Sequence, residues 1–151
     1  MKAPAPKVLD ERQAEAVAIL CELIIPETTT PGARSAGVPE YLEFTLGRAS
    51  AATRRRFLEG LEWVERRAMR LFGRPFAALD HDRQVALLEG IERADASEMG
   101  VGIGVAFFKD IKDRTIFAYY TSRAGLLEEL AYKGNEALPD FPGCDHPGHS
   151  R

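Results

Sequence analysis

Between Ser50 and Gly73 the chain places Phe57, Leu61, Val64, Ala68 and Leu71 at steps of three and four. That spacing keeps apolar side chains on one stripe of an α-helix and scatters them over both faces of a strand. Ser50 offers the side-chain oxygen that starts a helix, and Gly73 offers the left-handed residue that ends one. A helix of roughly residues 51–72 follows. Its single apolar stripe needs other elements to cover it, and the remainder of the chain supplies more of the same kind.

Asp10 caps a first helix whose inner side is Ala14, Val17, Ala18, Cys21, Ile24 and Ile25, with Glu11, Arg12, Glu15 and Glu22 left for solvent. Pro26 ends it. The segment 26–37, PETTTPGARSAG, is too rich in Pro, Thr and Gly for a helix and reads as a shaped loop. Pro39 opens a short helix with Tyr41, Leu42, Phe44 and Leu46 on its apolar side. After the Pro75 turn, Asp80 caps a helix bearing Val85, Leu87, Leu88 and Ile91. A further helix, 105–120, is apolar through Phe107, Phe108, Ile111, Ile116 and Phe117 and belongs near the centre, with Asp110 and Arg114 as an exposed i,i+4 pair. A short helix from Arg123 to Tyr132 carries Leu126, Leu127 and Leu130, and Gly134 and Asn135 stop it.

No stretch sustains strand alternation. The expected fold is all-α: an irregular single-domain bundle of five to six helices over residues 10–138, after a mobile lead-in at 1–9 and before an aromatic, Gly/Pro-rich tail at 139–151. At 151 residues such a domain buries about 70% of its unfolded surface and needs no staple. A formal charge of −3 gives no general attraction to nucleic acid or to anionic membrane. No apolar run approaches the roughly 18–20 residues of a membrane span, and no charged start leads into an apolar signal core.

Catalytic chemistry is hard to assemble from these residues. His81 has no carboxylate and nucleophile at a recognisable spacing and reads as a surface residue. The glycines of residues 99–104, MGVGIG, follow no predicted strand, so they make a flexible approach to the next helix rather than a dinucleotide turn. Cys144, His146 and His149 form a C-x-H-x-x-H set that can hold zinc or copper only with a fourth ligand from elsewhere, and it is a weak metal candidate. Cys21 reads as a small core residue, while Cys144 lies in a Gly/Pro turn; a Cys21–Cys144 disulfide would imply an oxidising compartment. No catalytic or cofactor-binding residue is assigned.

Residues 117–144 suit surface contact instead. Tyr119, Tyr120, Tyr132 and Phe141 are rigid aromatic anchors, and the alternative is that the same rings cover the chain's own core. Arg54, Arg55, Arg56, Arg66, Arg67 and Arg70, interleaved with Glu59, Glu62 and Glu65, read as a solvated helix face or as a docking patch for an acidic partner, with Trp63 beside them as core or interface.

Several blocks resemble gluconate 2-dehydrogenase subunit 3, the small subunit of flavin-dependent gluconate 2-dehydrogenase and related sugar dehydrogenases. They are Ile24-Ile25-Pro26, Thr30-Pro31-Gly32-Ala33, Ala36-Gly37-Val38, Phe72-Gly73-Arg74-Pro75-Phe76 with Leu79, and Tyr119-Tyr120-Thr121-Ser122 with Gly125. In the tail, Tyr132-Lys133-Gly134-Asn135 and Phe141-Pro142-Gly143-Cys144 look most like the branch accompanying glucoside 3-dehydrogenase-type enzymes. The resemblance implies a non-catalytic partner of a large flavoprotein of the glucose-methanol-choline type. That partner holds FAD, oxidises a sugar hydroxyl and passes electrons to a cytochrome or a quinone. It further implies a small subunit that helps the large one mature and exports it through a twin-arginine signal, hence a periplasmic location. The Pro-rich lead-in after Met1 shows no such signal, and a free-standing cytoplasmic chaperone or adaptor is the alternative. The partner interface is then expected at Tyr119, Tyr120, Thr121, Ser122, Gly125, Tyr132, Asn135, Phe141 and Pro142, although Thr121, Ser122 and Gly125 also suit a helix break and cap.

Overall fold

A computed structural model describes residues 7–94 and 100–134. Five α-helices run α1 Glu11–Ile24, α2 Val38–Arg48, α3 Ala51–Phe72, α4 His81–Arg93 and α5 Gly102–Tyr120. A 3-10 turn, Phe76–Ala78, separates α3 from α4, and a π-helical turn, Ala124–Glu129, follows α5. There is no strand among the described residues, so the all-helical expectation holds.

The predicted starts and stops are in place for physical reasons that can be read atom by atom. Asp10 accepts from the Gln13 amide at 2.8 Å while the Gln13 side chain accepts from the Asp10 amide at 3.0 Å, a reciprocal capping box. Ser50 accepts from the Thr53 amide at 3.1 Å and Asp80 from the Arg83 amide at 3.0 Å. Gly73 ends α3 at φ 69°, a left-handed conformation that costs a residue with a Cβ about 1–2 kcal/mol.

The core forms where the helices converge on α5, which packs against all four other helices and the π-helical turn. Val17, Leu20, Leu42, Leu46, Leu61, Val64, Phe76, Ile111 and Tyr119 are fully enclosed, each contributing about 1.5–3 kcal/mol through apolar burial. Phe57 meets Phe107 edge to face with centroids 5.2 Å apart. Phe76 is carried inward by its turn, which is fixed at both ends. The Phe76 amide donates to Glu65 at 3.0 Å and its carbonyl accepts from the buried Gln84 side chain at 3.2 Å.

Several boundaries and faces differ from the sequence reading. Val8 and Leu9, assigned to the lead-in, belong to the domain: both amides donate to the Glu43 carboxylate, and Leu9 enters the core. The α5 helix starts at Gly102, three residues before Val105. Leu71 in α3 and Tyr41 and Phe44 in α2, expected inside, are exposed, as are Ile116 and Phe117 in α5. The last element is a π-helical turn rather than a regular helix. It closes with the Leu130 amide on the Gly125 carbonyl at 3.0 Å, and Ala131 then turns left-handed at φ 48°, so the stop precedes Gly134 and Asn135.

Candidate functional site

The end of α5, the π-helical turn and the loop 26–37 are bound to one another. At the last turn of α5, Thr121 donates its hydroxyl to the Phe117 carbonyl at 2.7 Å, and Ser122 donates to the Tyr119 carbonyl at 2.6 Å. The Ser122 hydroxyl also accepts from the Gly125 amide at 3.1 Å. These bonds satisfy carbonyls that the ending helix would leave open, and they turn the chain sharply. The turn is so close that a Cβ on Gly125 would overlap the backbone of Tyr119 and Tyr120. Gly125 is therefore a packing requirement, and Thr121 and Ser122 are capping residues.

The loop is held as firmly as the helices. One carboxylate, Glu22, accepts from the Glu27 amide at 2.8 Å and from the Arg34 amide at 3.0 Å, gathering both arms of the loop. Gly32 lies against that carboxylate, where a side chain would collide with it. The Ala33 amide donates to the Ile25 carbonyl at 2.9 Å. Across the fold, Tyr119 donates to the Pro31 carbonyl at 2.7 Å and Thr30 donates to the Glu129 carboxylate at 2.6 Å.

Apolar exposure is concentrated here. Eleven large apolar side chains are exposed in the described residues, and six of them fall between Ile116 and Tyr132. Ile116, Phe117 and Tyr120 share the outer side of the last turns of α5, since residues three and four apart on a helix are neighbours. Phe117 is 60% exposed and Leu130, in the turn that follows, 56%. The ring of Tyr120 meets that of Tyr119 edge to face at 5.3 Å, which fixes its direction from beneath.

The sequence-assigned contact residues thus divide. Tyr119 is 1% exposed and its hydroxyl is occupied, so its ring belongs to the core and not to an exposed edge. Tyr120 and Tyr132 are exposed. Asn135, Phe141 and Pro142 lie outside the described residues, as do Cys144, His146 and His149. Phe117, Leu127 and Leu130 join the edge without having been singled out. For Phe117 the signal was an apolar residue on the side of α5 away from Phe107, Ile111 and Thr115, visible only once α5 had been given an inside, while Leu127 and Leu130 follow α5 in the π-helical turn and at its end.

Reactive groups are few among the described residues. Cys21 is a free, fully buried thiol that accepts a hydrogen bond from Thr115 at 3.4 Å. Burial pushes its pKa up to about 11, with Thr115 pulling the other way. His81 is exposed in the first turn of α4. Among the described residues no group of three or more His, Cys, Asp or Glu side chains is placed to hold a metal, and no helix is long and apolar enough to cross a membrane. The arrangement can present a fixed apolar edge to another molecule.

A family model described as gluconate 2-dehydrogenase subunit 3 matches residues 11–139, which takes in every helix of the described residues. No curated protein and no solved structure matches the chain.

Proposed function

The chain belongs to the gluconate 2-dehydrogenase subunit 3 family, and from that premise we propose that it is the non-catalytic small subunit of an FAD-dependent sugar or glucoside dehydrogenase. Its role is to stabilise the large flavoprotein of the glucose-methanol-choline type, to assist its maturation and to accompany its export to the periplasm. The observation that supports this reading is the apolar edge from Ile116 to Leu130, which is exposed while Ile111, Ala118 and Tyr119 of the same helix are buried.

The chemistry of such a complex belongs to the FAD of the large chain, which takes the electrons from the sugar hydroxyl. What this chain contributes is shape. Burying Phe117, Tyr120 or Leu130 against a partner contributes about 1.5–3 kcal/mol each before ordering costs. Those costs are small because the edge is fixed in advance by Tyr119, Ser122 and Gly125. A large chain that exposes the matching apolar surface while folding is protected from aggregation once this edge covers it.

Co-expression with a large flavoprotein of the glucose-methanol-choline type from the same source tests the reading. The expected result is a stable complex in which the large chain loses solubility and flavin content when this chain is omitted. Two chains that fold and load flavin independently would overturn it, as would flavin absorbance or dye-linked sugar oxidation by this chain alone.

A further inference from the structure

A second surface, on the side of α3 that faces the start of α5, has the composition of a recognition site. Trp63 lies over Gly104 of α5, where a Cβ would overlap its ring, and its indole N–H donates to the Gly100 carbonyl at 2.8 Å. That fixes the ring at the surface and opens a cleft of about 280 Å³ lined by Trp63, Arg66, Arg67, Arg70, Gly100 and Val101. A second cleft of about 250 Å³, with Leu71, Leu87 and Ile91 in its walls, shares Trp63, Arg67 and Val101 with it.

Among the described residues the charge on this side is unbalanced. The carboxylates of α3 leave Arg67 and Arg70 alone: Glu59 pairs with Arg55 at 3.8 Å, Glu62 with Arg66 of the first cleft at 2.6 Å, and Glu65 accepts from the Phe76 amide. Arg67 and Arg70 have no acidic partner among the described residues, and the Arg67 guanidinium stands 6.0 Å over the Trp63 ring. Exposed Arg70 also complements the negative end of the helix, but a helix end needs no tryptophan-walled cleft beside it. Trp and Arg are the side chains that dominate protein interfaces when they line a pocket with an apolar neighbour, here half-exposed Leu71.

We propose that this paired cleft docks an acidic segment of a partner protein, with a carboxylate held by Arg67 and Arg70 and an adjoining apolar side chain against Trp63 and Leu71. A protein segment fits better than an anionic membrane surface. The cations flank a cleft with apolar walls instead of forming a broad basic face, and the chain as a whole carries a charge of −3. The proposal does not depend on the edge at Ile116–Leu130 or on the identity of the flavoprotein.

Trp63 is the sole tryptophan, so its fluorescence reports on the site directly. The test titrates the full chain with the acetylated, amidated hexapeptide Glu-Phe-Glu-Glu-Leu-Glu. The expected result is a saturable change in Trp63 emission that weakens as salt rises, that is absent with the Gln-for-Glu peptide, and that loses about tenfold or more in affinity in Arg67→Gln/Arg70→Gln. Circular dichroism establishes that this variant folds, and Arg70→Gln alone, at an exposed position, gives an intermediate loss. No saturable change at millimolar peptide, or an equal response to both peptides, would overturn the proposal. So would a response confined to phosphatidylserine vesicles, which would assign the surface to a membrane. A response that appears only after Asp95→Asn/Glu98→Gln would assign the cleft to the chain's own linker and overturn a partner equally.

Discussion

Tyr119 and Pro31, 88 residues apart, are joined by a 2.7 Å hydrogen bond from the phenol to the carbonyl. Through it the end of the central helix supports a loop that has almost no regular structure of its own. Tyr119→Phe keeps the buried ring and leaves the Pro31 carbonyl without this donor. A loss of about 1 kcal/mol is expected, seen as a fall of about 2–4 °C in thermal melting for a domain of this size. An unchanged melting temperature would mean that the loop does not depend on this bond.

Two glycines in helices should respond in opposite directions to alanine. Gly90 in α4 is exposed with nothing near the position a Cβ would take. Gly90→Ala should therefore stabilise by about 0.5–1 kcal/mol through lower unfolded-state entropy. At Gly104 the Cβ would enter the Trp63 ring, so Gly104→Ala should cost about 1–3 kcal/mol by overpacking. It should also shift tryptophan emission as the bond to Gly100 is disturbed. Urea titration of the two variants decides both signs.

Substitutions on the apolar edge should separate assembly from folding. Phe117→Ala removes a ring that is mostly in solvent and should change stability by no more than about 0.5 kcal/mol, yet weaken the proposed complex with a flavoprotein about tenfold or more. Tyr120→Ala should behave similarly with a slightly larger stability cost, since its ring also meets Tyr119 edge to face. The checks are the denaturation midpoint of the isolated chain and the dissociation constant of the complex. Equal free-energy losses in both would return these rings to the core.

Alkaline pH should expose the state of Cys21. With its folded-state pKa raised from 9.0 to about 11, the thiol holds its proton more tightly folded than unfolded. The stability it confers is complete below about pH 9 and is lost as pH rises toward 11. That contribution is on the order of 2 kcal/mol. Cys21→Ala lowers stability at neutral pH but should flatten its fall between pH 9 and 11, measured by urea titration at each pH. Alkylation of native protein at pH 8 should leave Cys21 unmodified, because the thiolate is scarce and the sulfur enclosed.

The helices were legible because Phe57, Leu61, Val64 and Ala68 repeat at a period that only a helix satisfies, and because Asp10, Ser50, Asp80 and Gly73 bound their helices by local chemistry. What the period does not tell is which neighbour arrives. Leu71 continues the α3 seam on paper, but it lies at the helix end, where enclosure gives out and it is exposed. In α5 apolar residues occur almost all round, so Ile116 and Phe117 could not be distinguished from Phe107 and Ile111 before the other helices were placed. Tyr119 and Tyr120 illustrate the limit most sharply. They are adjacent and identical in type, yet a rotation of one residue sends the first into the core and the second outward. The seats of Phe107 on Gly60 and of Trp63 on Gly104 were hidden for a related reason, since a glycine does not name the ring that will lie on it.

The Glu22 carboxylate, which takes amide protons from both arms of the loop 26–37, has a consequence for how that loop moves. Opening it at the Glu27 and Arg34 amides breaks both bonds to this one carboxylate, whose backbone belongs to α1. The loop should therefore exchange its bonded amide hydrogens together with the helix, as part of one cooperative opening unit, and not on the fast timescale of an exposed turn. Its ordering entropy is lost once, during folding, so a docking partner meets a surface that has already stopped searching.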